Sequence, residues 1–290
     1  MNPYIQSLRL RTLPLSVSGI ILGTGLAWKA SPHPLLEGKG VLVFILAILT
    51  TLSLQILSNL CNELGDAQKG TDENQHGRAA YGLQSGTITE REMKRMIWLF
   101  VGLCVVFGSS LIYSAFGTLY SVQSLGFLGL GLLAIIGAVK YTLGKHSYGY
   151  IGLGDLGVFL FFGLLSTLGG YYLQVQNLTA EAIWSGVAIG LPCVGVLNLN
   201  NIRDMQNDIK HGKHTLASML GPVGARIYHC LLLIGCLTIF LCYRHYWVLL
   251  ITPVWAWHLW FIGTHNERLD TQMPVLMLTT LLVAGLALIG

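Results

Sequence analysis

Apolar stretches close to the length of a membrane crossing recur along the whole chain, and no other feature constrains its fold as strongly. A helix needs about 20 mostly apolar residues to cross the hydrocarbon core of a bilayer. Only 10% of the residues are charged, against about 25% in a typical soluble protein. The sequence therefore predicts an all-α, polytopic membrane protein, a bundle of nine transmembrane helices forming one domain over residues 1–290. The nine stretches are 15–28, 41–60, 96–116, 119–139, 151–173, 182–199, 227–243, 247–263 and 275–289.

The basic residues predict how this bundle is oriented. An odd number of spans places the two termini on opposite sides of the membrane. With the N-terminus inside, only Lys29, Lys39 and Arg244 of the 17 lysines and arginines fall outside. Because cytoplasmic connections carry an excess of Lys and Arg, we expect a cytoplasmic N-terminus and an external C-terminus. Membrane insertion accounts for the positive charge, so nothing in the sequence indicates a nucleic-acid partner.

Two polar clusters interrupt the apolar pattern at the ends of the second and sixth spans. We expect them to lie in long inner loops near 62–95 and 200–226. Each has an asparagine four residues before an aspartate, and a further aspartate behind it. The members are Asn62, Asp66 and Asp72 in the first cluster and Asn200, Asp204 and Asp208 in the second. Carboxylates beside lipid are costly and mark functional sites. Magnesium offsets the repulsion of paired carboxylates and shares its ligand shell with phosphates. We therefore predict that the four aspartates bind Mg²⁺.

Basic and amide side chains accompany these acids. A site that combines carboxylates with cations is suited to a metal–polyanion pair, in which the cations bind phosphate oxygens. At the edge of a membrane, that polyanion is most naturally the diphosphate of an isoprenoid lipid. Alternatively, these basic side chains bind no phosphate and only set the orientation of the protein in the membrane. The candidate substrate-binding residues are Asn62, Lys69, Arg78, Lys140, Lys145, Asn200, Asn201 and Arg203.

These motifs resemble those of the UbiA superfamily of intramembrane aromatic prenyltransferases. That family has two aspartate-rich motifs after the second and sixth of nine spans, and a Tyr-x-x-x-Lys motif that matches Tyr141 and Lys145. The segments at 54–72, 140–155 and 197–204 are most similar to the branch that prenylates 1,4-dihydroxy-2-naphthoate in menaquinone synthesis. Glu63 stands where the family usually has aspartate, and its role is left open. Asp155 either serves the site or caps a helix.

The resemblance implies a Mg²⁺-dependent enzyme of the bacterial inner membrane with its active site on the cytoplasmic side. It would transfer a polyprenyl group from polyprenyl diphosphate to dihydroxynaphthoate, releasing diphosphate and carbon dioxide and giving demethylmenaquinone. Asp66, Asp72, Asp204 and Asp208 would be the catalytic metal ligands, and Tyr141 would bind the diphosphate. The same fold with 4-hydroxybenzoate, homogentisate or haem as acceptor remains an alternative. A lipid-diphosphate transporter is a further one, although acids at one edge of the membrane favour an enzyme.

Overall fold

The computed structural model describes residues 2–30, 38–70, 82–145 and 147–289, apart from the side chains at 266 and 267. In these ranges the chain is helical without strands, and nine helical spans are long and apolar enough to cross a membrane, as predicted. In chain order, α1 to α9 are Pro3–Ala30, Lys39–Gln68, Glu90–Phe116, Val122–Lys140, Gly154–Val175, Ala180–Lys210, Leu216–Cys242, Tyr246–Thr264 and Arg268–Leu286.

The helices α2 and α6 extend well beyond their apolar stretches. Asn62 and Asp66 lie in the last turns of α2, and Asp204 and Asp208 lie in the last turns of α6. The prediction that the acidic clusters lie in loops was therefore wrong for the described residues. Once a helix has formed, each added residue gains a backbone hydrogen bond, so the helix continues through polar residues into the aqueous edge.

Both long helices end on a glycine with a left-handed backbone. Gly70 follows α2 with φ 68°, and Gly212 follows α6 with φ 68°. Glycine adopts this conformation without steric cost and commonly terminates helices. Because α2 and α6 run in the same direction through the bundle, their polar ends lie at the same face of the molecule.

Small residues allow three of the helices to approach closely. A Cβ atom at Gly23 of α1 would lie 2.0 Å from the carbonyl oxygen of Thr167 on α5. A Cβ atom at Gly163 of α5 would lie 2.6 Å from the Cα atom of Gly190 on α6. Such contacts are typical of membrane helix packing, where close backbone approach replaces the hydrophobic driving force. They join α1, α5 and α6 into one layer beside a cavity.

Within α5, residues Phe159–Leu165 form a π-helical segment. Phe161, Phe162 and Leu165 from this segment line the cavity. A π-helical turn adds a residue to the helix and is frequently found at functional sites. Here it turns aromatic side chains of α5 toward the interior of the bundle.

Candidate active site

A cavity of about 370 Å³ opens among the helices at the face where α2 and α6 end. One face of α2 lines it from Ala47 to Asp66, which is about 28 Å of helix at 1.5 Å per residue. Its deep walls are mainly apolar, and its mouth is polar. Asp66 of the first cluster and Asp204 and Asp208 of the second line that mouth together. The polar residues that line the mouth are Asn62, Asp66, Tyr141, Tyr150, Asn200, Asp204, Asp208 and Lys213.

Asp66 of the first cluster is oriented by Tyr150, which follows α4 in a short 3₁₀ turn. The Tyr150 hydroxyl donates to Asp66 Oδ1 at 2.8 Å. Lys69 Nζ lies 3.5 Å from the centroid of the Tyr150 ring and donates to the carbonyl of Thr142 at 2.7 Å. Desolvation lowers the pKa of Lys69, the Asp66 charge raises it, and the Lys213 charge lowers it again, with a net decrease. Removing water from an ammonium group favours its neutral form, whereas an anion bound beside it would favour the charged form.

In the second cluster, the end of α6 places Lys213 beside Asp208. The N–H of Lys213 donates to the carbonyl of Asp208 at 2.9 Å, and the N–H of Gly212 donates to the carbonyl of Ile209 at 3.2 Å. This pair of bonds is the Schellman motif that commonly ends helices. It brings Lys213 Nζ to 3.2 Å from Asp208 Oδ2, and Asp208 is only 2% exposed. Lys213 Nζ is also 5.6 Å from the Tyr150 ring centroid.

Arg203 neutralises Asp204 and joins α6 to α9. Its Nε donates to Asp204 Oδ1 at 2.7 Å, and its Nη2 donates to Asp204 Oδ2 at 2.5 Å. Nη2 also donates to Asn200 Oδ1 at 2.7 Å, and Nη1 is paired with Asp270 of α9. Arg203 lies behind the cavity wall, so it acts on the mouth through Asp204 and Asn200 rather than by lining it.

Tyr141 lies at the centre of the polar mouth. Burial raises the pKa of its phenol, and the charges of Asp155, Asp66 and Asp208 raise it further. The phenol therefore stays protonated and can donate a hydrogen bond at any physiological pH. The next residue, Thr142, donates from its hydroxyl to Asn62 Oδ1 at 2.5 Å. Thr142 thus connects the loop after α4 to the first cluster.

Several predicted site residues lie away from the cavity. Lys140 and Lys145 are exposed and do not form part of its wall, and Asn201 is buried behind it. Asp72 and Arg78 lie outside the described residues. The assignment of these five residues to substrate or metal binding therefore remains a prediction.

The structure gives Glu63 and Asp155 separate surroundings. Glu63 is fully buried and accepts hydrogen bonds from Ser7 Oγ at 3.2 Å and from the N–H of Leu83 at 2.8 Å. It thus ties the N-terminal helix and the segment before α3 to α2. Asp155 is buried in the first turn of α5 and accepts from the hydroxyl of Tyr228 at 3.2 Å. Neither side chain lines the cavity.

Sequence reasoning missed a row of polar residues deeper in the cavity, together with Tyr150. Gln55 and Asn59 of α2 and Thr12 of α1 line the wall below the acids. A signal was present, because Gln55, Asn59, Asn62 and Asp66 recur at three- and four-residue intervals on one helical face. The apolar residues between them hid this periodicity within the second hydrophobic stretch.

The carboxylates at the mouth suit a metal that is shared with a polyanion. Among the described residues, no three acidic, histidine or cysteine side chains lie close enough together to enclose an ion. Asp66, Asp204 and Asp208 nevertheless line one cavity, and the charges of the first two act on Asp208. Magnesium is usually bound by one or two carboxylates, with water and substrate phosphates completing its shell. The donor set therefore fits Mg²⁺.

Solved structures share this fold. A UbiA homologue from Archaeoglobus fulgidus bound to GPP and Mg²⁺ superposes with a TM-score of 0.64, covering 99% of each chain at 14% identity. The apo structure of a UbiA homologue from Aeropyrum pernix superposes with the same TM-score, covering 97% of this chain and 96% of that one at 16% identity. At such low identity, the likeness establishes the nine-helix fold and no more.

Sequence comparison gives closer relatives. The chain is 43% identical to the 1,4-dihydroxy-2-naphthoate octaprenyltransferase of Escherichia coli, over 88% of this chain and 79% of that protein. It is 42% identical to the Haemophilus influenzae protein of the same name, over 80% of this chain and 74% of the relative. The model of the UbiA prenyltransferase family matches residues 16–287. With that match over nearly its whole length, the chain belongs to the UbiA prenyltransferase family.

Proposed function

We propose that this protein transfers a polyprenyl group from polyprenyl diphosphate to 1,4-dihydroxy-2-naphthoate in menaquinone synthesis. The observation that carries the proposal is the cavity, where aspartates from two helices line a polar mouth and the deep walls are mainly apolar; the cavity follows α2 for about 28 Å, mouth included. A polar mouth above an apolar chamber matches a diphosphate head on an isoprenoid chain. The acceptor is the one in the names of the Escherichia coli and Haemophilus influenzae relatives.

Asp66, Asp204 and Asp208 would hold Mg²⁺, with Asp72 as a further predicted ligand. Bound Mg²⁺ would supply positive charge where the departing diphosphate accumulates negative charge. Lys69 and Lys213 flank Tyr150 at this mouth and are placed to bind the remaining phosphate oxygens. The protonated hydroxyl of Tyr141 would donate a hydrogen bond to the same head. Such groups, fixed before the reaction, stabilise the leaving group without reorganisation.

In the reaction, the bond between the allylic carbon and the diphosphate oxygen breaks, and its electron pair leaves with the diphosphate. A ring carbon of the acceptor forms the new carbon–carbon bond. The carboxylate then leaves as carbon dioxide, and the electrons of that bond restore the aromatic ring, giving the hydroquinone form of demethylmenaquinone. The apolar walls from α4 and α5, including Leu130 and Phe161, would keep water from the cation-like allylic carbon.

The proposal is tested with purified protein, dihydroxynaphthoate and octaprenyl diphosphate in the presence of Mg²⁺. We expect prenylated product together with stoichiometric diphosphate and carbon dioxide, and we expect a chelator to stop all three. A parallel assay with 4-hydroxybenzoate separates the two acceptor classes. Activity with 4-hydroxybenzoate but not with dihydroxynaphthoate would show that 4-hydroxybenzoate is the acceptor instead. If the protein moved a lipid diphosphate across the membrane without releasing diphosphate, it would be a transporter and not an enzyme.

We propose that the polar mouth faces the cytoplasm, with the N-terminus on that side and the C-terminus outside. The support is the distribution of lysine and arginine, which leaves only three of 17 on the opposite face.

A further inference from the structure

A row of polar side chains lies deeper in the cavity than the aspartates. Thr12, Gln55 and Asn59 line the wall there. Since α2 rises 1.5 Å per residue, Asn59 and Gln55 lie about 10 Å and 16 Å from Asp66 along its axis. That separation leaves room for a diphosphate beside Asp66 and for an aromatic ring beyond it.

The directions of the hydrogen bonds in this row follow from Thr12. A threonine hydroxyl has one proton to donate, and Thr12 Oγ1 donates it to the carbonyl of Arg9 at 2.9 Å. Thr12 must therefore accept from the side-chain nitrogens of Gln55 and Asn59, each 3.1 Å away. Asn59 Nδ2 also donates to the carbonyl of Leu8 at 2.9 Å, and Gln55 Nε2 donates to Asn59 Oδ1 at 3.1 Å. Both amide groups are fixed in orientation by these contacts.

One acceptor in the row is left without a donor. Gln55 Oε1 is buried, the residue is 9% exposed, and no described group donates a hydrogen bond to this oxygen. A buried polar atom without a partner is costly and rare in folded proteins. The adjacent turn is also strained, because Arg9 has a φ of 50°, and such strain tends to collect at functional sites. Because Gln55 lines the cavity, a ligand that brings its own donor could satisfy this acceptor.

Only one of the two substrates can supply that donor. The isoprenoid chain has no N–H or O–H group, and the diphosphate is held by cations at the mouth. The aromatic acceptor carries phenolic hydroxyl groups. We propose that Gln55 Oε1 accepts a hydrogen bond from a hydroxyl of the aromatic diol, and that the Thr12–Asn59 pair fixes Gln55 for this purpose. The inference rests on the proposed function and assigns the acceptor subsite within the same cavity.

The test compares the wild type with Gln55→Leu and Gln55→Met, which remove the acceptor oxygen at similar volume. We expect the KM for dihydroxynaphthoate to rise roughly 10- to 100-fold, the effect of losing one buried hydrogen bond, while the KM for the diphosphate donor stays unchanged. The matched control is Gln174→Leu. Gln174 also joins two helices, donating to the carbonyl of Gly40 at 3.1 Å, but it lies outside the cavity wall, so both KM values should stay at the wild-type level.

Inhibition by 1-hydroxy-2-naphthoate and 4-hydroxy-2-naphthoate provides a second measurement, whose first part uses the wild type alone. The wild type should bind one of these analogues roughly 10- to 100-fold more weakly than the diol, and the Gln55 variants should lose this discrimination. Equal affinity of the wild type for the diol and both analogues would overturn the inference, as would an unchanged acceptor KM in both variants. Wild-type turnover with dihydroxynaphthoate is measured first, because its absence would instead refute the proposed function.

Discussion

At the level of single residues, the three described aspartates at the cavity mouth are held in different ways. Tyr150 donates to Asp66, Arg203 engages both oxygens of Asp204, and Lys213 is paired with Asp208. Asp66 and Asp208 thus have partners from loops that follow other helical turns, whereas the partner of Asp204 is its neighbour in the chain. Fixed partners behind a metal ligand hold its geometry, and their loss typically weakens metal binding.

The first prediction concerns Asp208, which is buried at the mouth. Asp208→Asn keeps the shape of the side chain and removes its charge, so we expect kcat to fall roughly 100-fold or more because the leaving group loses electrostatic stabilisation. The variant should also need more Mg²⁺ for half-maximal activity. The control is Glu90→Gln, an exposed carboxylate paired with Lys94 at 2.7 Å, for which kinetics should not change. Wild-type kinetics in Asp208→Asn would contradict the metal assignment.

The second prediction concerns Glu63, which stands in the aspartate-rich motif but faces Ser7 and Leu83 instead of the cavity. Glu63→Ala should lower the free energy of unfolding by about 1–3 kcal/mol, because a buried N–H and a buried hydroxyl lose their acceptor. Thermal unfolding in detergent measures this loss. Glu63→Gln retains an acceptor oxygen and should lose less. A raised Mg²⁺ requirement in Glu63→Gln, at unchanged stability, would show that Glu63 is a metal ligand after all.

At the level of helices, the bundle depends on close contacts between small residues and on buried polar contacts among its last four helices. His229 of α7 and His258 of α8 are 3.0 Å apart between their Nε2 atoms, and His258 Nδ1 is 2.8 Å from Gln272 Oε1 of α9. Asn198 of α6 donates to the carbonyl of Ala225 on α7 at 2.9 Å. Polar contacts of this kind fix helices to one another in lipid, and here they hold α6, which carries the second acidic cluster.

The third prediction concerns helix packing at Gly23. In Gly23→Ala the new methyl group would lie 2.0 Å from the Thr167 carbonyl oxygen, so α1 and α5 must separate, at a cost of about 1–3 kcal/mol. The control is Gly129→Ala on α4, where no described atom outside the local helix backbone lies within 4 Å of the added Cβ. That change should stabilise the protein by about 0.5–1 kcal/mol, because glycine is unfavourable within a helix. Thermal unfolding of both variants should show shifts of opposite sign.

At this scale, hydropathy alone predicted the number of helices, because a membrane span is defined by local composition. It did not predict where α2 and α6 end, since a helix that leaves the membrane continues until a glycine such as Gly70 or Gly212 stops it. The ion pair between Arg203 and Asp270 could also not be predicted from the sequence. The two residues are far apart in sequence, and only the packing of α9 against α6 brings them together.

At the level of the whole molecule, one cavity connects the aspartates at its mouth with a row of uncharged polar residues deeper in its wall. The sequence allowed a prediction of the aspartates but not of the deeper row. The aspartates were predictable because acids beside lipid are rare and repeat a pattern at two helix ends. The row of Thr12, Gln55 and Asn59 was not, because uncharged polar residues are common in membrane helices. Their meaning appears only when α1 and α2 pack beside the cavity and leave the buried Gln55 Oε1 without a donor among the described groups.

The fourth prediction concerns the orientation of the whole bundle. Cys242 is exposed and ends α7, at the face opposite the polar mouth, whereas Cys61, Cys104, Cys193 and Cys236 are buried. A membrane-impermeant maleimide should therefore label the native protein in right-side-out vesicles, and Cys242→Ser should abolish that labelling. Ser85 is exposed on the mouth side, before α3. In the Cys242→Ser background, Ser85→Cys should be labelled only in inside-out vesicles. The reverse pattern would place the mouth outside the cell and contradict the topology that the lysines and arginines predict.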